Sequence, residues 1–217
     1  MTIKVYGSKQ STCTQRVVLA LHEKEIFDYE LVTVDLQKGE QKRPEFLQLQ
    51  PFGKIPVYQD DEVTLFESRA VVRYIAEKFP DPEGYFLYGR NLKEKALVEQ
   101  WVEVESQNWN PVVETIVREE YFNPTFFGKQ PNEQLVLENL LKLEKLLDIY
   151  EAHLSKSQYL AGDFYSLADL SHIPYTFYLI KYAKKGQVIA SRRFVKAWFE
   201  DICALRSWQK ILTNFLE

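Results

Sequence analysis

Cysteine is scarce in this 217-residue chain, with only Cys13 and Cys203. Two cysteines cannot form a disulfide framework, and neither sits in a Cys-x-x-Cys, so a reduced protein is expected. Histidine is almost as rare. His22, His153 and His172 show no metal-ligand spacing, which speaks against a metal site. No apolar run approaches the ~18 residues of a membrane-spanning helix. The opening residues, Met1 to Gly7, lack the charged, apolar and small-residue succession of a signal peptide. Basic residues are not in excess: 27 Lys and Arg stand against 31 Asp and Glu, leaving a net charge of −4. Nucleic acid is therefore not expected as a partner, because phosphate-binding surfaces are usually basic. Together these absences describe a cytoplasmic, metal-free protein with no prosthetic group, membrane or nucleic acid.

What is present is ordinary globular composition, 46% hydrophobic and 27% charged, in a chain long enough for one large domain or two small ones. The first eighty residues alternate short β-like and helical patterns. Strands are expected at Ile3–Tyr6, Asp28–Val34, Pro56–Gln59 and Thr64–Phe66, and helices at Ser11–Lys24, around Glu45–Leu49, and at Ser68–Phe79. The order is β-α-β-α-β-β-α. Pro80-Asp-Pro-Glu-Gly84 is the strongest break in the chain. Beyond it the signals are helical, over Lys93–Glu119, Pro131–Leu154 and Arg192–Arg206. In the second of these, Leu137, Leu140, Leu141, Leu147 and Tyr150 fall mostly three to four residues apart. Ser166-Leu-Ala-Asp169 is a variant capping box that should start a further helix reaching about Tyr182. The expected division is an α/β domain over 1–80, a linker over 81–92 and an all-helical domain over 93–217.

Several polar clusters carry candidate chemistry. Ser11, Thr12 and Cys13 follow the first strand, where a helix N-terminus favours an anion. Ser11 suits a plain N-cap, or a hydroxyl donating to a bound thiolate. If the helix starts there, Cys13 lies about 200° around it and faces the interior or the flank, as an inert thiol. In Gln50-Pro-Phe-Gly-Lys-Ile-Pro56, the proline either opens an edge strand or follows a cis bond. A cis bond could leave the Ile55 backbone open to an extended peptide. Phe66-Glu-Ser-Arg-Ala70 is either simple capping or a second helix mouth, with Ser68 holding a carboxylate and Glu67 an ammonium. Lys38, Gln41, Lys42 and Arg43 make a solvated face or a carboxylate site. Jointly these features would suit a small zwitterionic peptide with two carboxylates.

The set Ser11…Arg16-Val17, Lys38-Gly-Glu-Gln-Lys42, Gln50-Pro-Phe-Gly-x-Ile-Pro56, Leu65-Phe-Glu-Ser-Arg-Ala70 and Tyr159-Leu-Ala-Gly-Asp-x-x-Ser-Leu-Ala-Asp169 resembles the cytosolic glutathione S-transferases, closest to the plant phi class. The resemblance spans essentially the whole chain. It implies a thioredoxin-like N-terminal domain, a helical C-terminal domain supplying the electrophile site, and a homodimer with glutathione as co-substrate. At matching positions Ser11 is the catalytic hydroxyl, with Thr12 beside it. Ile55 ahead of cis-Pro56 pairs with the cysteinyl unit, Glu67 and Ser68 hold the γ-glutamyl end, and Gln41, Lys42 and Lys54 hold the glycine carboxylate. Gln41 stands where the family frequently has histidine. Phe122 and Tyr178, with Thr12, would line the electrophile site, near Trp109 and Phe127; core packing is the favoured reading of Trp109. Conjugation to hydrophobic electrophiles, with peroxidase activity towards organic hydroperoxides, is the implied function. Two other readings stand beside it: a carrier of flavonoids or other apolar ligands, and Cys13-dependent thiol–disulfide exchange. Thiol-transferase members carry cysteine five residues ahead of the arginine. Cys13 is only three ahead of Arg16, which disfavours exchange.

Overall fold

Alternation in the first residues produces β1 (Lys4–Gly7), with Val5 and Gly7 buried and Lys4 and Tyr6 partly exposed. The computed structural model describes residues 2–82 and 85–216; Glu83 and Gly84, at the end of the expected linker, lie outside the described residues. Contacts divide the chain into two units, Met1–Tyr88 with Leu205–Glu217, and Gly89–Ala204. The last thirteen residues thus pack with the first unit, whereas their helical character alone had grouped them with the second. The reason is tertiary: the helix Arg206–Ile211 buries Trp208 and Ile211 and packs on the first helix of the chain.

In the first unit the order is β1, α1 (Thr12–Glu23), β2 (Glu30–Thr33), a 3₁₀ turn at Glu40–Lys42, α2 (Pro44–Leu47), β3 (Val57–Gln59), β4 (Thr64–Phe66) and α3 (Ser68–Lys78). The sheet runs β2-β1-β3-β4. β1 and β2 pair in parallel, which requires the α1 crossover, while β1–β3 and β3–β4 are antiparallel. Val34, Phe46 and Val57 form a core with Tyr6, Leu49, Ile55 and Phe66 packed against it. Burial of each such large side chain contributes roughly 1.5–3 kcal/mol.

Lys24 closes this unit. Its side chain is fully buried, and Nζ donates to the carbonyls of Ala76 and Phe79 at 2.7 and 2.9 Å and to Asp81 Oδ1 at 2.6 Å. It satisfies carbonyls at the end of α3 that the helix itself leaves orphaned. Lys24→Met should therefore lower unfolding free energy by about 3 kcal/mol, read by guanidinium denaturation. A loss below about 0.5 kcal/mol would show that water replaces the ammonium.

The second unit contains α4 (Leu92–Val104), α5 (Asn110–Val117), α6 (Asn123–Phe127), α7 (Glu133–Leu154), α8 (Leu167–Lys181), α9 (Gln187–Ala190) and α10 (Arg193–Cys203); the short helix Arg206–Ile211 of the first unit is α11. The pattern expected as one helix over Lys93–Glu119 is broken by wide π-helical turns at Glu105–Trp109 and Arg118–Phe122. Each ends directly before an Asn-Pro pair, Asn110-Pro111 and Asn123-Pro124. Proline lacks an N–H and clashes with the carbonyl four residues back, so the helix widens there. The capping box forms as expected: the Ser166 N–H donates to Asp169 Oδ2 at 3.0 Å, and the Ser166 side chain caps α8. No helix among the described residues is long and apolar enough to cross a membrane.

Candidate functional site

Ser11 sits just outside α1 in extended conformation, and its Oγ accepts the Thr14 N–H at 3.2 Å. The loop leading to it is held closely. Ser8 N–H reaches Thr14 Oγ1 at 3.4 Å, Gln15 Nε2 donates to the Lys9 carbonyl at 2.8 Å, and a Cβ on Gly7 would collide with Thr14. Capping occupies a lone pair of the hydroxyl, not its hydrogen. Ser11 can therefore be the cap and still donate outward, beside N–H groups at the positive end of the α1 dipole. The capping and donor readings coexist.

A second face comes from β3 and β4. The Ile55–Pro56 bond is cis, and Val57 pairs with Phe66, so Pro56 and Glu67 lie at the same end of the ladder. β3 has partners on both sides, so Pro56 does not open an edge strand. Neither the N–H nor the C=O of Ile55 has a backbone partner among the described residues. That leaves a donor and an acceptor available to an extended peptide.

Glu67 follows with φ +66°, a left-handed conformation that costs a non-glycine residue on the order of 1–3 kcal/mol. Its carboxylate has no hydrogen-bond or ion-pair partner among the described residues. Ser68, the first residue of α3, is buried, and its Oγ accepts a hydrogen bond from Arg16 Nη1 at 2.9 Å. The Glu40–Lys42 turn completes the arrangement. Lys42 Nζ donates to the Phe52 carbonyl at 2.9 Å, and Gln41 Oε1 is buried without a partner among the described residues. Gln50 is buried and accepts the Lys54 N–H at 3.3 Å.

Gly53 allows this close approach. At φ +60° its missing Cβ would lie 2.7 Å from the Gln41 carbonyl and from Lys42 Nζ. If the Gln41–Lys42 turn holds the glycine carboxylate, as the sequence resemblance implies, Gly53→Ala should push it away and raise the glutathione KM about tenfold, with the electrophile KM unchanged. Steady-state titration of each substrate reads this, and an unchanged glutathione KM would remove the turn from the binding site.

The structure revises two expected roles, those of Thr12 and Tyr178. Thr12 is only 3% exposed and cannot present a second open hydroxyl. Cys13 takes the flank of its two expected positions: it is half-buried, with Arg16 Nη1 donating towards its Sγ at 3.6 Å. α1 starts at Thr12 with Ser11 as its N-cap, and Arg16 within it is wholly buried. Tyr178 is 1% exposed, packed against Tyr121, Phe122 and Tyr182, so it supports the aromatic cluster from behind. Phe122 is half-buried in that cluster, Phe127 is exposed, and Trp109 is core, as favoured. Burial pushes the Cys203 thiol up to about 12, which disfavours its thiolate at neutral pH.

Sequence reasoning used Arg16 only as a spacing marker and overlooked Gln50 and Gly53. A lone cation inside an otherwise buried helix was the available signal for the first.

Known proteins with this arrangement are numerous. The model of the glutathione S-transferase N-terminal domain matches residues 1–77, and that of its C-terminal domain residues 110–205. The chain is 46% identical to glutathione S-transferase F13 of Arabidopsis thaliana over 97% of its own length and 95% of the relative's. It is 45% identical to probable glutathione S-transferase GSTF1 of Oryza sativa subsp. japonica, covering 96% and 94%. Among solved structures, glutathione transferase F7 from Populus trichocarpa superposes with a TM-score of 0.92 at 49% identity, covering 97% and 98% of the two chains. Glutathione S-transferase I from mais, in complex with an atrazine glutathione conjugate, superposes with a TM-score of 0.87 at 38% identity, covering 97% and 96%.

Proposed function

The chain belongs to the glutathione S-transferase family and its plant phi class, and from that premise we propose that it conjugates the glutathione thiolate to hydrophobic electrophiles. The observation that carries the reading is Ser11, a capping serine whose hydrogen remains free to donate at a helix mouth. A thiol with a pKa near ~8.5 is mostly protonated at neutral pH, and the thiolate is the nucleophile. Each unit by which the site lowers that pKa requires about 1.4 kcal/mol of preferential thiolate stabilisation. The Ser11 hydroxyl and the α1 dipole supply it without being consumed.

The remaining assignments are those that membership of the family implies at matching positions, and the chemistry of each group is compatible with them. Ile55 pairs with the cysteinyl backbone, Glu67 takes the γ-glutamyl ammonium, and Ser68 its carboxylate. Gln41, through its amide N–H groups, and the ammonium groups of Lys42 and Lys54 would supply donors to the glycine carboxylate. Phe122, with Tyr121 and Phe126 around it, offers aromatic surface to a planar electrophile. Reduction of organic hydroperoxides would use the same thiolate. The working form is a cytoplasmic homodimer, for which the 64% exposed Phe52 is a candidate contact.

Turnover of chlorodinitrobenzene and of cumene hydroperoxide with glutathione tests the reading. Conjugation at an ordinary transferase rate is the expected result. Tight flavonoid binding with no turnover would instead make the protein a carrier.

A further inference from the structure

Arg16 is an unusual residue for the interior of a helix: its side chain is wholly buried, in a stretch running Arg16-Val-Val-Leu-Ala-Leu21. A guanidinium stays protonated, carries five donors and accepts nothing. A buried charge is retained only where it is hydrogen-bonded and electrostatically satisfied. Here Nη1 lies 2.9 Å from Ser68 Oγ, across the α1–α3 packing, and 3.6 Å from Cys13 Sγ on its own helix.

The direction of the Ser68 bond has a consequence. Because arginine can only donate, the Ser68 oxygen is the acceptor and its hydrogen must point elsewhere. Ser68 is also the first residue of the eleven-residue α3, whose leading N–H groups lack helical partners. The mouth of α3 therefore combines open N–H groups, a hydroxyl hydrogen and, directly behind that hydroxyl, a permanent positive charge. A donor bonded to a cation is polarised and binds anions more strongly.

We propose that Arg16 is a positioning residue for glutathione: it orients and polarises the Ser68 hydroxyl so that the γ-glutamyl α-carboxylate is selected through Ser68. This rests on the placement of the γ-glutamyl end at Glu67 and Ser68. Arg16 touches neither the sulfur nor the carboxylate, and its effect should fall on glutathione KM, not on kcat at saturation. Arg16 also links the helix that Ser11 caps to the helix that Ser68 opens.

The test uses the whole protein with glutathione and with its analogue lacking the γ-glutamyl α-carboxylate, comparing the ratio of their KM values. A charge-assisted contact predicts a wild-type ratio of roughly 10–100. In Ser68→Ala and in Arg16→Gln the ratio should collapse to about 3 or less, with kcat at saturation changed less than about threefold. The Arg16→Gln/Ser68→Ala double variant should be no worse than Ser68→Ala alone, because both changes remove one pathway. Arg16→Gln keeps a donor and the side-chain bulk, and Arg16→Lys keeps the charge, so one folded variant of the pair suffices. Arg16→Lys should retain part of the discrimination through a less well-aimed donor. If Ser68→Ala keeps the wild-type ratio, the γ-glutamyl placement fails and the proposal falls with it. If Ser68→Ala collapses the ratio while folded Arg16→Gln keeps it, or the double variant shows additive losses, the placement stands and Arg16 is merely structural.

Discussion

Replacing Ser11 by alanine is expected to lower kcat/KM for chlorodinitrobenzene conjugation roughly 10²-fold, as for loss of one preorganised donor to a developing or resident anion. The variant also loses its N-cap, worth about 1 kcal/mol, so stability and activity must be separated. Ser11→Asp does this. A carboxylate accepts the Thr14 N–H as well as a hydroxyl does, so stability should return to the wild-type level. It cannot donate, and it repels a thiolate, so activity should stay at or below that of Ser11→Ala. The pH profile gives an independent signature: the apparent pKa governing kcat/KM should rise in Ser11→Ala, because the proton is held more tightly without the hydroxyl. Cys13→Ser should keep most of the activity. Full rate in Ser11→Ala together with loss in Cys13→Ser would reverse the assignment and point to thiol exchange.

The second large effect concerns stability. Asp169 is wholly buried and accepts the Leu160 N–H, the Ser166 N–H, the Ser166 hydroxyl and the Trp198 Nε1–H, all between 2.9 and 3.1 Å. It thus ties the start of α8 to the preceding loop and to α10. Asp169→Ala orphans these donors in the interior and should cost about 4 kcal/mol, or about 10 °C in Tm. Burial raises its carboxyl to about 6, outweighing the hydrogen bonds from Leu160, Trp198 and Ser166 that favour the anion. A raised folded-state value means that the native protein holds the proton more strongly than the unfolded chain. That contribution is complete below pH ~4, the ordinary carboxyl value, and disappears as pH rises through about 6. Denaturation of wild type and Asp169→Asn from pH 4 to 8 should give curves that converge with rising pH up to about 6 and run parallel above it. Curves parallel throughout would mean that Asp169 keeps an ordinary pKa in the fold.

Local signals wrote much of this protein in advance. The order β-α-β-α-β-β-α is legible because strand and helix periods differ, and because Ser11, Ser68 and Ser166 each stand at or beside a helix start. The capping box at Ser166 was also readable, as a motif with short-range geometry, whereas the residues around Pro56 left a cis bond and an edge strand as alternatives that the sheet order separates. Ser11, Glu67 and Ser68 stand at helix starts and Ile55 just before β3, where the sequence pattern put them.

Other features depended on what packs against what. In α7 the leucines offer two overlapping stripes of similar hydrophobicity, and the expected stripe included Leu137 and Leu141. The structure exposes both, at 59% and 58%, and buries Val136, Asn139, Leu143, Leu147, Tyr150 and Leu154. Trp101 meets Tyr150 edge-on and Trp109 meets it at a tilt, and these contacts between residues far apart in the chain choose between the stripes. The same holds for Tyr178, which an aromatic cluster withdraws from solvent, and for α11, which packs on α1 from the far end of the sequence. Arg16 is the clearest case. Its number and type were visible from the start, but a guanidinium finds its acceptor across the α1–α3 packing, 52 residues away. Sequence periodicity encodes which residues share a face; only three-dimensional closure decides what each face meets.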